Sequence, residues 1–237
     1  MKFDYTLTRS NRKTIGLYVR EDGIEVRAPL KTQKAEIDRF VASNEKWLTN
    51  KLAVFSEQQK TRESFTLNYG DTIIYRNQEY VISAREGNRM GFDNTCFYMP
   101  ENLNNEEIKY TCVDLYRRLA KRDLTKKVIY YSKIMGVVPT AVKISNAQTQ
   151  WGSCSSKNSL NFSWRLIMAD DDVIDYVVIH ELAHIKELNH SDRFWAIVRE
   201  MLPDYRERKE RLKQLQRKLN NEDWEYNAEK DIHDCEQ

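Results

Sequence analysis

The chain has 237 residues, with 38 Lys plus Arg against 36 Asp plus Glu and a formal charge of +2. Hydrophobic residues make up 41% and charged ones 31%, enough to bury a core, and no apolar run nears the ~20 residues of a membrane helix. No apolar leader follows Met1, and the four cysteines (Cys96, Cys112, Cys154, Cys235) form no disulfide framework, so a soluble protein of the reducing cytoplasm is expected.

The first elements alternate apolar and polar residues. Segments 3–9, 14–20 and 24–28 read as three strands of a β-meander, with a turn at Glu21-Asp22-Gly23 and an end at Pro29. One long helix is expected from about Gln33, capped by Thr32, with Ile37, Phe40, Val41, Trp47, Leu48 and Leu52 at helical spacing. Strands are expected again at 65–67, 72–75, 80–83 and 95–99, with turns at Tyr69-Gly70-Asp71 and Arg76-Asn77-Gln78. Residues 1–100 thus read as a mainly β N-terminal module with one long helix.

Asn104-Asn105-Glu106-Glu107 opens a helix with acids at its positive end, and Gly136 stops it after Met135. Its basic residues Lys109, Arg117, Arg118, Lys121, Arg122, Lys126 and Lys127 read first as a solvated face and second as a phosphate-tracking stripe for nucleic acid over 109–127. Strands are expected at 142–145 and 160–167, joined by 151–159, part of which is a possible third strand. Such a sheet would lie beside the next helix, where a free edge strand can pair with an extended substrate. Cys154 is a poor nucleophile candidate, since no histidine outside the set below lies near it in sequence.

Asp170-Asp171-Asp172 opens a helix over 173–188 that is apolar on most sides and therefore buried. Three of the four histidines fall in His180-Glu181-Leu182-Ala183-His184-Ile185-Lys186-Glu187-Leu188-Asn189-His190. Residues four apart share a helix face, so His180 and His184 can serve one metal ion. His190 can join them only if the chain turns back, and Asn189 is a residue type that tolerates the left-handed conformation a helix end needs. Three imidazoles suit one Zn²⁺ per chain and leave a fourth position open, and such an ion lowers the pKa of water from about 15.7 to about 7. Glu181 leaves the helix about 100° round from His180, placed to act as catalytic base rather than as ligand. No cysteine stands at zinc-finger spacing to close the site. Ser191 caps a following helix with Phe194, Trp195, Val198 and Leu202 toward the core. Beyond Pro203, residues 204–219 form a charged helix, followed by an acidic tail over 220–237 that holds His233 as a surface residue. Residues 222–237 carry seven acids and one lysine, leaving +8 on residues 1–221.

These residues resemble the YgjP-like metal-dependent hydrolases, or YgjP-type metallopeptidases, along nearly the whole chain. The likeness rests on Trp151-Gly152-Ser153-Cys154, on the strand 161–167, on the helix 175–184, on Asn189-His190-Ser191-Asp192-Arg193-Phe194-Trp195, and on Pro203-Asp204-Tyr205. It implies zinc ligands His180, His184 and His190, with Glu181 as base. The metzincins share the histidine spacing but place glycine where this chain has Glu187. The catalytic part is also similar to SprT and Spartan proteases, which cleave DNA-bound proteins.

The expected class is α+β: the 1–100 module, a helical zincin-like hydrolase domain over 101–219 with a small antiparallel sheet, and the tail. A metallopeptidase acting on polypeptide is expected first. The resemblance also implies a second reading, a nucleoside triphosphate pyrophosphatase, with Arg9, Arg12 and Lys13 able to hold phosphates, and a nucleic-acid module with structural zinc is a third. Tyr205 and Arg165 are the candidates for steadying an oxyanion.

Overall fold

The computed structural model describes residues 3–20 and 23–225, and the fold is α+β. The expected turn at Glu21 and Asp22, Cys235, and the distal tail with His233 lie outside the described residues. The chain forms two compact units, Met1–Ser64 and Phe65–Gln237.

The first unit contains β1 (Thr6–Ser10), β2 (Gly16–Arg20), β3 (Gly23–Pro29), α1 (Lys34–Ser43) and α2 (Glu45–Glu63). The strand order is β1-β3-β2, with β1 parallel and β2 antiparallel to β3. This corrects the expected meander, because alternation assigns each strand a face but not a partner. Ile24, Val26 and Ala28 on β3 are buried with Ile37, Val41 and Leu48 of the helices, the period-2 and period-3.6 faces meeting in one core. The expected single helix is two. Asn44 leaves helical geometry at φ −105° and ψ 17°, and its Nδ2 donates to the Phe40 carbonyl at 2.8 Å. Gln33, not Thr32, stands at the N-cap, and Trp47 is exposed.

The second unit begins with an irregular segment over 65–67, where a strand was expected. It is followed by β4 (Thr72–Tyr75), β5 (Gln78–Arg85), β6 (Gly91–Phe92) and β7 (Cys96–Pro100), in the order β4-β5-β7-β6. The two-residue turn Arg76-Asn77 has φ of 52° and 58°, as a tight hairpin requires. Ile73, Tyr75, Ile82, Phe97 and Met99 share the core of this unit, so the sheet belongs here and not with residues 1–64.

α3 (Asn105–Met135) carries both halves of a capping box. Asn104 Oδ1 accepts from the Glu107 N–H at 2.9 Å, and Glu107 Oε2 accepts from the Asn104 N–H at 2.8 Å. Gly136 ends the helix in the left-handed region at φ 63°. Then come β8 (Ala141–Ser145), β9 (Gly152–Cys154) and β10 (Ser159–Ser163), in the order β8-β10-β9. β10 is parallel to β8 and antiparallel to β9, so the sheet is mixed and not antiparallel as expected. The expected strand over 160–167 stops at Ser163. Trp164–Met168 forms a 3-10 turn in which all five side chains are buried, which strand alternation could not achieve on a one-sided sheet.

α4 (Asp171–Ala183), α5 (Asp192–Met201) and α6 (Tyr205–Leu219) complete the unit. Val173, Ile174, Tyr176, Val177, Val178, Ile179, Leu182 and Ala183 of α4 are buried, as a helix apolar nearly all round must be. Ser191 Oγ accepts from the Phe194 N–H at 3.3 Å, the expected cap of α5. Among the described residues, no helix is long and apolar enough to cross a membrane.

Candidate metal centre

α4 ends at Ala183, five residues earlier than expected. His184 keeps helical backbone angles of −64° and −19°, so it still lies one turn from His180. The next bonds tighten, Ile185 N–H to the Leu182 carbonyl at 3.1 Å and Lys186 N–H to the Ala183 carbonyl at 3.0 Å, and the chain turns back. Asn189 is not left-handed, correcting the expected αL role. Its Oδ1 accepts from the Ser191 N–H at 3.0 Å and so stiffens the loop that carries His190.

The three histidines meet. One ligand nitrogen from each of His180, His184 and His190 lies within 4.8 Å of the others. The Nε2 atoms of His180 and His190 are 3.1 Å apart. Two nitrogens on one tetrahedral zinc would sit about 3.3 Å apart at usual bond lengths, so the spacing fits a shared ion. His184 Nδ1 lies 3.2 Å from the Glu187 carbonyl. Only an Nδ1–H satisfies that contact, which leaves the Nε2 lone pair for the cluster. Burial, then the neighbouring His184 and His190, pushes the His180 imidazole down to about 3, so it is neutral and able to ligate at pH 7.

One phenyl ring backs all three imidazoles. The Phe194 centroid is 4.8 Å from His180, 4.5 Å from His184 and 4.8 Å from His190. Trp195 stacks on His190 at 5.7 Å and on Tyr205 at 5.2 Å. The aromatics that follow His190 in sequence therefore hold its loop, as ligand precision demands.

Glu181 is 5% exposed, and its side chain makes no hydrogen bond to the protein among the described residues. Burial alone pushes its carboxyl up to about 8. It faces a cleft of about 450 Å³ lined by residues 149–154, by Tyr176, Val177, His180, Glu181 and His184, and by Leu188, His190 and Leu212. No Lys or Arg is among these lining residues.

The cleft runs along a free strand edge. Ser163 N–H donates to the Trp151 carbonyl at 3.0 Å, and Ser155 N–H donates to the Ser159 carbonyl at 3.0 Å. Antiparallel pairing alternates, so Ser153 also bonds β10, while the main-chain groups of Gly152 and Cys154 point away from it. Those groups make no hydrogen bond among the described residues.

The remaining candidates separate. Arg165 is buried, with Nη1 donating to the Asn146 Oδ1 at 3.0 Å and to its carbonyl at 3.2 Å, and it does not line the cleft. Tyr205 is also buried outside the lining, with Arg206 donating to its hydroxyl at 3.3 Å. Tyr176, which the sequence did not single out, does line the cleft, one turn before His180. Cys154 lines it too, but burial and the Glu181 charge raise its thiol, the opposite of an activated nucleophile.

The two opposed shifts give metal-free protein a defined stability profile. Glu181 holds its proton more tightly folded than unfolded, so its contribution is full below about 4.5 and is lost as pH rises toward 8. His180 contributes fully above about 6.5 and loses that as pH falls toward 3. Their sum is greatest between pH 4.5 and 6.5. The Tm in thermal unfolding of chelator-treated protein should therefore fall away on the alkaline side, and Glu181→Gln should reduce that fall. An alkaline limb unchanged in that variant would contradict the assignment.

Compared with known proteins, residues 13–215 match the family model described as YgjP-like, metallopeptidase domain. No curated protein matches the chain. Two solved structures are similar to parts of it. The metallopeptidase zymogen abylysin of Pyrococcus abyssi is 23% identical with a TM-score of 0.36, over 42% of this chain and 98% of its own. The metallopeptidase zymogen jannalysin of Methanocaldococcus jannaschii is 21% identical with a TM-score of 0.36, over 39% of this chain and 95% of its own. The family match spans most of the chain, from just ahead of β2 into α6. The chain belongs to the YgjP-like metallopeptidase family, and is thus a metal-dependent hydrolase of the peptidase kind.

Proposed function

We propose that the protein is a zinc peptidase that holds its substrate extended along β9, with one ion on His180, His184 and His190 and with Glu181 as general base. The observation that carries this reading is the cleft itself. A free strand edge passes the buried carboxyl group and the imidazole cluster, and neither Lys nor Arg is among the residues that line it. Main-chain groups of Gly152 and Cys154 would bond an added strand and fix its register. Bound zinc would supply Lewis acidity toward a carbonyl oxygen and lower the pKa of water. Glu181 accepts the proton of the attacking water and returns it to the leaving amide nitrogen. Val177, Leu188 and Leu212 lend the cleft apolar surface against bulk water. The free thiols Cys96, Cys112 and Cys154 agree with a reducing compartment, and we place the protein in the cytoplasm.

Neither rival reading gains support. A triphosphate would need cations beside the metal. Of those considered, Arg9 Nη1 is occupied by the Pro29, Leu30 and Thr32 carbonyls at 3.1, 3.1 and 2.7 Å. On α3, Arg118 pairs with Asp114 at 2.7 Å, Arg122 with Asp123 at 2.7 Å and Lys127 with Asp175 at 2.6 Å, while Lys121 donates to the Val142 carbonyl. Carboxylates thus already engage three of the basic residues that would track phosphates.

Zinc-loaded protein should cleave an unstructured polypeptide such as casein, lose that activity with a chelator, and regain it with zinc. Release of pyrophosphate from nucleoside triphosphates without any cleavage of casein would overturn the reading.

A further inference from the structure

Gly152 has no conformational reason to be glycine. The glycines with positive φ are Gly23, Gly70, Gly87 and Gly136, and Gly152 is not among them. It sits in ordinary strand geometry opposite Phe162 on β10, where a glycine weakens the strand. Space is the reason instead. A Cβ built on Gly152 would lie 2.7 Å from Glu181 Cγ, 2.7 Å from its Oε1 and 2.9 Å from its Cδ. All three contacts are with one side chain. That side chain is buried and carries no hydrogen bond among the described residues, so packing alone sets where its carboxylate rests.

We infer that Gly152 is a positioning residue: its missing side chain is the slot that seats the Glu181 carboxylate against the substrate-facing edge of β9. The inference rests on Glu181 being the general base. Any side chain at 152 forces Glu181 to rotate out of this seat, while the three imidazoles stay where Phe194 holds them.

The test is Gly152→Ala in the full-length, zinc-loaded chain, read against quenched fluorescent casein, by metal content and by thermal unfolding. The expected result is a fall in kcat of about 10²-fold, the scale of an ångström misplacement, with KM and bound zinc unchanged. In metal-free protein, Gly152→Ala should lower Tm by about 3 °C or more, as overpacking does. The same substitution in a Glu181→Ala background should cost almost nothing, since the clashing atoms are gone. Rescue of folding in that double variant, should Gly152→Ala alone fail to fold, supports the inference equally. Wild-type kcat in Gly152→Ala, an equal loss of Tm in both backgrounds, or failure of both to fold would overturn it, because the glycine would then serve the strand and not the carboxylate. The two claims fail separately. Full activity of Glu181→Gln removes the base but leaves the stability coupling to decide the slot.

Discussion

Glu181→Gln is expected to bind metal as the parent does and to lose turnover by about 10²- to 10⁴-fold, the range of a general acid–base contribution. Glutamine keeps the shape of the side chain, so the seat against Gly152 stays filled and α4 is not disturbed. None of the three imidazoles changes, and His184 keeps its contact with the Glu187 carbonyl. What is lost is the capacity to take a proton and give it back. Zinc stoichiometry and single-turnover cleavage of casein check the two halves independently. Parental turnover in Glu181→Gln would remove the carboxylate from the chemistry. Loss of metal along with turnover would mean that the carboxylate is a ligand.

The largest effect on stability is expected at Trp164, whose removal to alanine should cost about 3–5 kcal/mol, a large fraction of the 5–15 kcal/mol that holds a typical domain together. Trp164 is fully buried at the start of the 3-10 turn between β10 and α4. It stacks on Tyr116 with centroids 5.4 Å apart and meets Trp224 edge-on at 5.8 Å. Its Nε1–H donates to Asn146 Oδ1 at 2.8 Å, and the Arg165 guanidinium lies 4.3 Å from its ring centroid. One truncation thus opens a cavity, ends an aromatic stack and takes one donor from Asn146. Trp164→Phe, which keeps the ring contacts and loses only the N–H, should cost clearly less. Denaturant midpoints of the two variants measure the difference, and equal midpoints would assign the loss to the hydrogen bond rather than to packing.

The histidine cluster was legible because its rule is local. A four-residue step puts His180 and His184 on one face whatever surrounds them, and α3 was bounded by its own Asn104, Glu107 and Gly136. What escaped the sequence was long-range. The parallel pairing of β1 with β3 joins residues about twenty apart and leaves no trace in either strand's alternation. Which core the strands between 72 and 100 enter depends on α3, not on their own pattern. The run Trp164–Met168 is apolar enough to read as strand, and only its burial on every side shows the 3-10 turn. Gly152 stood in a recognised segment, but a glycine says only that something comes close. That the neighbour is Glu181 appears when β9 and α4 are packed together.

Because the Phe194 ring lies against every imidazole of the set, all three share one backing. A larger or smaller residue there would widen or narrow the whole aperture at once. Under the proposed zinc reading, preference among ions would then be open to tuning from a purely hydrocarbon position.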